Sequence, residues 1–259
     1  MLSAGANVGA VQVGMLQRLA DAGVMPDRVF GASVGSLNAA AFAADPTVEG
    51  MDRLATMWRS LRGDDVFPPA GPRRRSMVYQ HARHSGAGVG RIVDSLALRR
   101  IEDVEIPLEI AVTSIRGRGR RWLNRGSLST ALRASTAIPG LLPPVRIGSD
   151  LCFDGAVTDR APIDRAVACG MRRIVILEAA GAPSPGDVGR RLVDGMTNWV
   201  RRHGHVVPDD VEVFVIRAGS EEPLHYTDFT HTNELIEEGH FAAEIALSEL
   251  EFLTAEVHR

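Results

Sequence analysis

The chain contains no lysine: its 29 basic residues are all arginine, against 32 acidic ones, for a formal net charge of -3. That balance excludes a general attraction to nucleic acid or to an anionic membrane, and any such contact would have to come from a local patch. In a chain rich in Ala, Gly and Val, the missing lysine reads as a coding bias and carries no mechanism. Cysteine is almost absent too. Cys152 and Cys169 alone cannot form a disulfide framework and do not have zinc-ligand spacing, so buried free thiols are expected. No run of about 18 apolar residues is present, which excludes a spanning helix. The first fourteen residues are apolar and uncharged, yet they lack the positive start of a signal peptide. A soluble, cytoplasmic protein without metal or organic cofactor is the expectation.

What is present is a chain of 259 residues, 45% hydrophobic, able to bury roughly 75% of the surface its unfolded form exposes. One domain over residues 1–259 is expected, with no internal repeat. Short β-branched runs alternate with longer amphipathic segments, the pattern of parallel βαβ units. Strands are predicted over Arg28 to Gly31, Leu108 to Ile115, Arg173 to Leu177 and Glu212 to Arg217. Helices are predicted over Gly9 to Ala22, Val34 to Ala44, Val48 to Leu61, Leu128 to Ser135, Ile163 to Ala168, Gly189 to His203 and Thr232 to Val257. In the last, Leu235, Ile236, Ala242, Ile245, Ala246, Leu250 and Leu253 follow helical spacing and are assigned to the core. The stretch from Phe67 to Gly90, rich in Pro, Gly and Arg, reads as a loop.

The chemistry concentrates at Gly31-Ala-Ser33-Val-Gly35, a G-x-S-x-G pattern with an apolar strand before it and a helix after it. A sharp strand-to-helix turn exposes the Ser33 hydroxyl, and small flanking residues avoid collision where the backbone doubles back. The N-H groups at the start of the following helix face the charge that develops in acyl transfer. A nucleophilic serine needs a base. His203, His205, His225, His231, His240 and His258 all follow Ser33 in the chain, as a conventional triad requires, though no local pattern singles one out. Asp154, after a short apolar run and directly before Gly155, is the other candidate. Asp-Gly is also a plain turn signal.

Three segments stand in order along the chain: "LSAGANVGAVQVG" at the N-terminus, "GASVG" at the elbow, and "ASTAIPGLLPPV" leading into "DGAVTDRAP". Together they resemble the patatin-like phospholipases, and "YTDFTHTNELIEEG" is similar with less specificity. The resemblance implies a three-layer α/β/α sandwich with a mainly parallel central sheet, and a Ser-Asp dyad without histidine. Carried over, it makes Ser33 the nucleophile and Asp154 the base, with Gly31 and Gly35 in the elbow and Gly155 supporting the base. Backbone N-H groups around Gly5, Ala6 and Asn7 would form the oxyanion hole. The implied substrates are phospholipids, lysophospholipids or other acyl esters, reached through peripheral membrane contact. Arginines at 73–75, 99–100 and 116–121 are candidates to meet lipid phosphates.

The chain departs from the family's pattern in three places. Ala4-Gly5-Ala6 stands where a run of three glycines is usual, and Val8 where a basic residue is common. An alanine forced to positive φ would be strained. Only Met1 and Leu2 precede Ser3 where the family has a full apolar strand: either the start is assigned too late, or the sheet lacks most of its first strand, which would expose the edges of the neighbouring strands. Asp159 stands where an asparagine is frequent, and no role is assigned to it. These departures set beside the hydrolase a weak or silent lipid-binding or regulatory homologue, and the late histidines set beside it a His-dependent hydrolase or transacylase.

Overall fold

The computed structural model describes residues 1–66, 90–157, 163–180, 208–220 and 224–249, except 92, 95, 97 and 118. The expected loop from Phe67, the helix from Gly189 to His203 and the arginines at 73–75 lie outside the described residues. In chain order the helices are α1 (Ala10–Asp21), α2 (Val34–Ala44), α3 (Val48–Ser60), α4 (Gly63–Val66), α5 (Leu128–Ser135), α6 (Ile163–Ala168) and α7 (Thr232–Glu249). The strands are β1 (Val29–Ala32), β2 (Leu108–Ser114), β3 (Gly119–Leu123), β4 (Val145–Ile147), β5 (Asp150–Asp154), β6 (Arg173–Ala180) and β7 (Glu212–Gly219).

The architecture is α/β, with helices packed against a central sheet. Its parallel part is the β1–β2 and β6–β7 pairs. Its antiparallel part joins β3 and β5 to β2, and β4 to β5. The sequence reading placed no strand at β3, β4 or β5. They are three to five residues long and mostly half-exposed, so their apolar alternation is too brief to register as a period.

Every residue of β1 and β2 is buried, as expected of strands covered on both faces. Val29 and Val112 join the large core under α1, α2, α3 and α7. Phe30, one position on, turns to a second cluster with Ile174, Ile176 and Ala166 of α6. Glu109, in the middle of β2, is 1% exposed. Its carboxylate is held by Arg28 at 3.1 Å and Arg165 at 3.0 Å, so the buried charge is paired.

Three expectations are corrected. Residues Met1 and Leu2 do not leave the adjacent edges bare: Leu2 forms parallel bridges to Gly31 of β1 and Leu177 of β6, joining the two parallel pairs. Burial lowers the pKa of the Met1 ammonium to about 5, and the group donates to Val175 O at 2.6 Å. A cavity of about 470 Å³ beside Met1 lies at the start of β1, away from Ser33. In α7, Ile245 is 46% exposed and does not belong to the core face. The buried stripe runs through Leu235, Ile236, Ala243 and Leu247. Its register is set by α1, because a side chain at Gly239 would collide with Val11 O, and one at Gly14 with Ile236 O. Cys152 is buried as expected, but Cys169 is half-buried.

Candidate active site

Sheet register brings the two central side chains together. Ala32 ends β1 opposite Ala111 of β2, and the next residue of β2, Val112, pairs with Asp154 at the end of β5. Ser33 therefore leaves β1 beside Asp154, although 121 residues separate them in the chain. The Ser33 hydroxyl donates to Asp154 Oδ2 at 2.7 Å, and Ala156 N-H donates to Oδ1 at 2.8 Å. Each carboxylate oxygen thus has a fixed partner. The Asp154 main chain is held as firmly, with its N-H on Ala137 O at 3.0 Å and its O on the Thr113 hydroxyl at 2.8 Å. Burial raises the Asp154 pKa to about 7, against the opposing effect of the bonds from Ser33 and Ala156.

The elbow is strained, as the sharp strand-to-helix turn of this motif requires, and Ser33 is 7% exposed, where the sequence reading expected the turn to expose it. Ser33 has φ 54 and ψ -131, which costs on the order of 1–3 kcal/mol and persists only where the surroundings impose it. The Ser33 N-H donates to the Ser135 hydroxyl at 3.1 Å, and Ser33 O accepts from Ser36 N at 2.8 Å and the Ser36 hydroxyl at 2.6 Å. A side chain at Gly31 would stand 2.5 Å from Ser36 Cα, and one at Gly35 would stand 2.5 Å from Leu2 O and Ser3 O. Both glycines are there for close approach. Gly155 is confined in the same way, since its Cβ would lie 2.2 Å from Ala111 O.

The Ser3–Gly9 loop runs past the elbow and closes in a 3-10 turn, Ala6–Gly9. Ala6 has φ 48, the left-handed region that costs an alanine about 1–2 kcal/mol. Ala4 has no positive φ, so of the two alanines that replace glycine only Ala6 is strained. Gly5 backs onto Ala179, whose Cβ would stand 2.4 Å from a side chain there. Beneath the loop runs a buried polar chain that the sequence reading missed. Trp58 Nε1 donates to Asn38 Oδ1 at 2.9 Å, and Asn38 Nδ2 donates to Gly9 O and Gln12 Oε1, both at 3.0 Å. Gln12 Nε2 then donates to Ser3 O at 2.8 Å.

Ala6 and Ser33 open on a small apolar cavity of about 50 Å³, whose walls include Leu37, Trp58, Ile138 and Phe229. Among the described residues no histidine side chain is hydrogen-bonded to Ser33 or Asp154. His225 contacts Thr227, and His231 contacts Glu234; His203, His205 and His258 lie outside the described residues. Among the described residues no three histidine, cysteine or acidic side chains converge as a metal site requires. Of the candidate phosphate contacts, Arg100 pairs with Glu102 and Arg120 with Asp164. Ser135, Ser36, Asn38 and Phe229 had no functional signal of their own in the sequence. Ser135 lies within "ASTAIPG", a segment that was legible only as a likeness.

Comparison with known proteins finds a family and several relatives for the chain. A family model described as patatin-like phospholipase matches residues 1–167. "Lysophospholipase NTE1" of Cryptococcus neoformans is 28% identical over 209 residues, covering 77% of this chain and 12% of the relative. "Patatin-like phospholipase domain-containing protein 7" of Rattus norvegicus is 26% identical over 77% of this chain and 14% of its own length. An uncharacterized NTE family protein of Mycobacterium tuberculosis is 31% identical over 62% of this chain and 27% of the relative. The chain therefore spans a small part of the length of these relatives. VipD from Legionella pneumophila superposes with a TM-score of 0.53 at 14% identity, over 96% of this chain and 66% of that one, which is a likeness of fold.

Proposed function

The chain belongs to the patatin-like phospholipase family, and on that premise we propose that it is a serine acyl hydrolase acting on phospholipids, lysophospholipids or other acyl esters. The observation that carries this reading is the 2.7 Å bond from the Ser33 hydroxyl to the buried Asp154 carboxylate. Ser33 Oγ attacks the ester carbonyl carbon and passes its proton to Asp154. The tetrahedral intermediate collapses, and the alcohol leaves with that proton. A water then attacks the acyl-serine, again giving its proton to Asp154, and the fatty acid leaves as Ser33 regains its hydrogen.

Burial supports the role of Asp154. A carboxyl poised near pH 7 is a better proton acceptor for a serine than one in water, while still ionised in an appreciable fraction at neutral pH. Ala156 N-H holds the second oxygen, so the carboxylate is oriented before substrate arrives. The oxyanion is assigned to backbone N-H groups of the Gly5, Ala6 and Asn7 loop, where the first N-H groups of the turn have no partner within it. The apolar cavity walled by Leu37, Trp58 and Phe229 suits the acyl chain next to the reacting carbonyl. A substrate packed in a bilayer implies peripheral contact; among the described residues no helix is long and apolar enough to cross a membrane.

The test is hydrolysis of a chromogenic fatty-acyl ester and a panel of phospholipids and lysophospholipids. Ser33→Ala and Asp154→Ala are each expected to abolish turnover, a fluorophosphonate to label Ser33, and a chelator to change nothing. Full activity in Asp154→Ala would exclude the dyad. Lipid binding without turnover in the wild type would favour the silent homologue, for which the strain at Ala6 is the motivating observation.

A further inference from the structure

The loop assigned to the oxyanion carries a side chain that the mechanism does not yet use. Asn7 is 1% exposed. Its Nδ2 donates to two main-chain carbonyls from the far end of the chain, His225 O at 3.1 Å and Asp228 O at 2.5 Å. Two carbonyl acceptors can be met only by the NH2 end of a carboxamide, so the orientation of the side chain is determined by its partners. The Oδ1 atom is left buried with no hydrogen-bond partner among the described residues. A buried polar atom left unmatched is unfavourable, and here it accompanies two long-range bonds made by the other end of the same group.

The residue before it is Ala6, at φ 48. Alanine does not choose that conformation; the structure around it must impose it. Rotation about φ of Ala6 swings the following peptide, and with it the N-H of Asn7. A side chain anchored at position 7 therefore opposes the relaxation that Ala6 would otherwise make. The anchor is itself ordered. Asp228 Oδ1 accepts from Thr230 N at 2.9 Å and from the Thr230 hydroxyl at 2.6 Å, and the Thr232 hydroxyl, at the start of α7, donates to Phe229 O at 2.8 Å. Phe229, next to Asp228, is also a wall of the cavity at Ser33.

We infer that the Asn7 carboxamide is a positioning residue: it clamps the strained Ala6 turn to the 225–228 segment, and so aims the loop's N-H groups at the oxyanion. The inference rests on the serine hydrolase reading above for its kinetic consequence, while its structural content stands apart from activity.

The experiment compares wild type, Asn7→Ala, Ala6→Gly and the double variant, by ester kinetics and by hydrogen exchange of the amides at residues 5–9. Asn7→Ala keeps the backbone N-H of residue 7 and removes only the clamp. The expected result is a fall in kcat of about tenfold to a hundredfold, with KM and the pH midpoint of the rate unchanged and faster exchange in the loop. Glycine adopts positive φ readily, so Ala6→Gly should restore more activity in the Asn7→Ala background than it adds to wild type. A merely structural role would not produce that coupling. Wild-type kcat and exchange in Asn7→Ala, a change confined to KM, or a loss that Ala6→Gly leaves untouched would each overturn the inference. Should Asn7→Ala fail to fold, the double variant decides, since recovered folding without recovered rate is equally against it. If the wild type has no hydrolase activity, the hydrolase reading fails, and the clamp is then judged by loop exchange alone.

Discussion

The Ser33 N-H donates to the Ser135 hydroxyl at 3.1 Å, tying the strained elbow to the end of α5. That bond gives a buried donor its partner and helps to hold φ 54 at Ser33. Ser135→Ala leaves the donor unmatched, at a cost of about 1–3 kcal/mol. Under the proposed mechanism the expected outcome is a rate lower by about tenfold to a hundredfold, because a displaced Ser33 hydroxyl loses its attack geometry. Steady-state kinetics beside a thermal melt separate that loss from simple unfolding.

Activity and stability should respond to pH in opposite directions. In the proposed mechanism Asp154 is the base and works only when ionised, so kcat/KM should rise through a midpoint of about 7, the value to which burial raises it. For stability, the folded protein holds this proton at pH values where the unfolded chain, with an ordinary carboxyl near 4, has already released it. The unfolding free energy contributed by this group is therefore greatest below about pH 4 and falls as pH rises to 7. Asp154→Asn removes that dependence, so its stability relative to wild type should improve between pH 4 and pH 8 in denaturant titrations.

A single methyl group at Gly35 should be more damaging than most core substitutions. The Cβ of Gly35→Ala would stand 2.5 Å from Leu2 O and Ser3 O, both backbone atoms of the segment that feeds the candidate oxyanion loop. Relief requires a backbone shift, with an overpacking cost of about 1–3 kcal/mol or more. A lower melting temperature together with slower fluorophosphonate labelling of Ser33 is expected.

Asn38 is the centre of the polar chain under the loop. Asn38→Ala would take partners from Trp58 Nε1, Gln12 Oε1 and Gly9 O at once. Each buried group left unmatched costs about 1–3 kcal/mol, against a typical domain stability of about 5–15 kcal/mol. The variant should be barely folded at 25 °C, as a urea titration followed by Trp fluorescence would report.

Signals confined to a few neighbouring residues were legible. The helices Val34–Ala44 and Leu128–Ser135 begin and end where the sequence predicts: the first is an almost unbroken run of small and apolar residues, and the second has an apolar stripe and a capping Ser127 whose hydroxyl accepts from Thr130 N, all local properties. Ser33 was legible for the same reason: strand, glycines and helix lie within a few residues of it. The short strand β5 was not, since Asp150–Asp154 takes its stability from pairing with β2 and β4 and not from its own pattern. Ile245 was placed on the wrong face because the contact between α1 and α7 is set by Gly14 and Gly239, which a hydrophobic pattern does not weigh.

By itself the sequence determined the α/β alternation, the elbow and the loop beside it, all written in spacing of a few residues. On residue pattern alone, Asp154 and the later histidines stood equally open as partners for Ser33; the family likeness favoured the aspartate. Tertiary structure decided which side chain reaches Ser33, because that depends on the registers of β1 on β2 and β2 on β5. It also decided that Ala6 and not Ala4 bears the positive φ, and that Asn7 meets carbonyls more than two hundred residues away. Hydrogen bonds of that range are made only when the core has packed, so their partners follow from sheet register and helix contact.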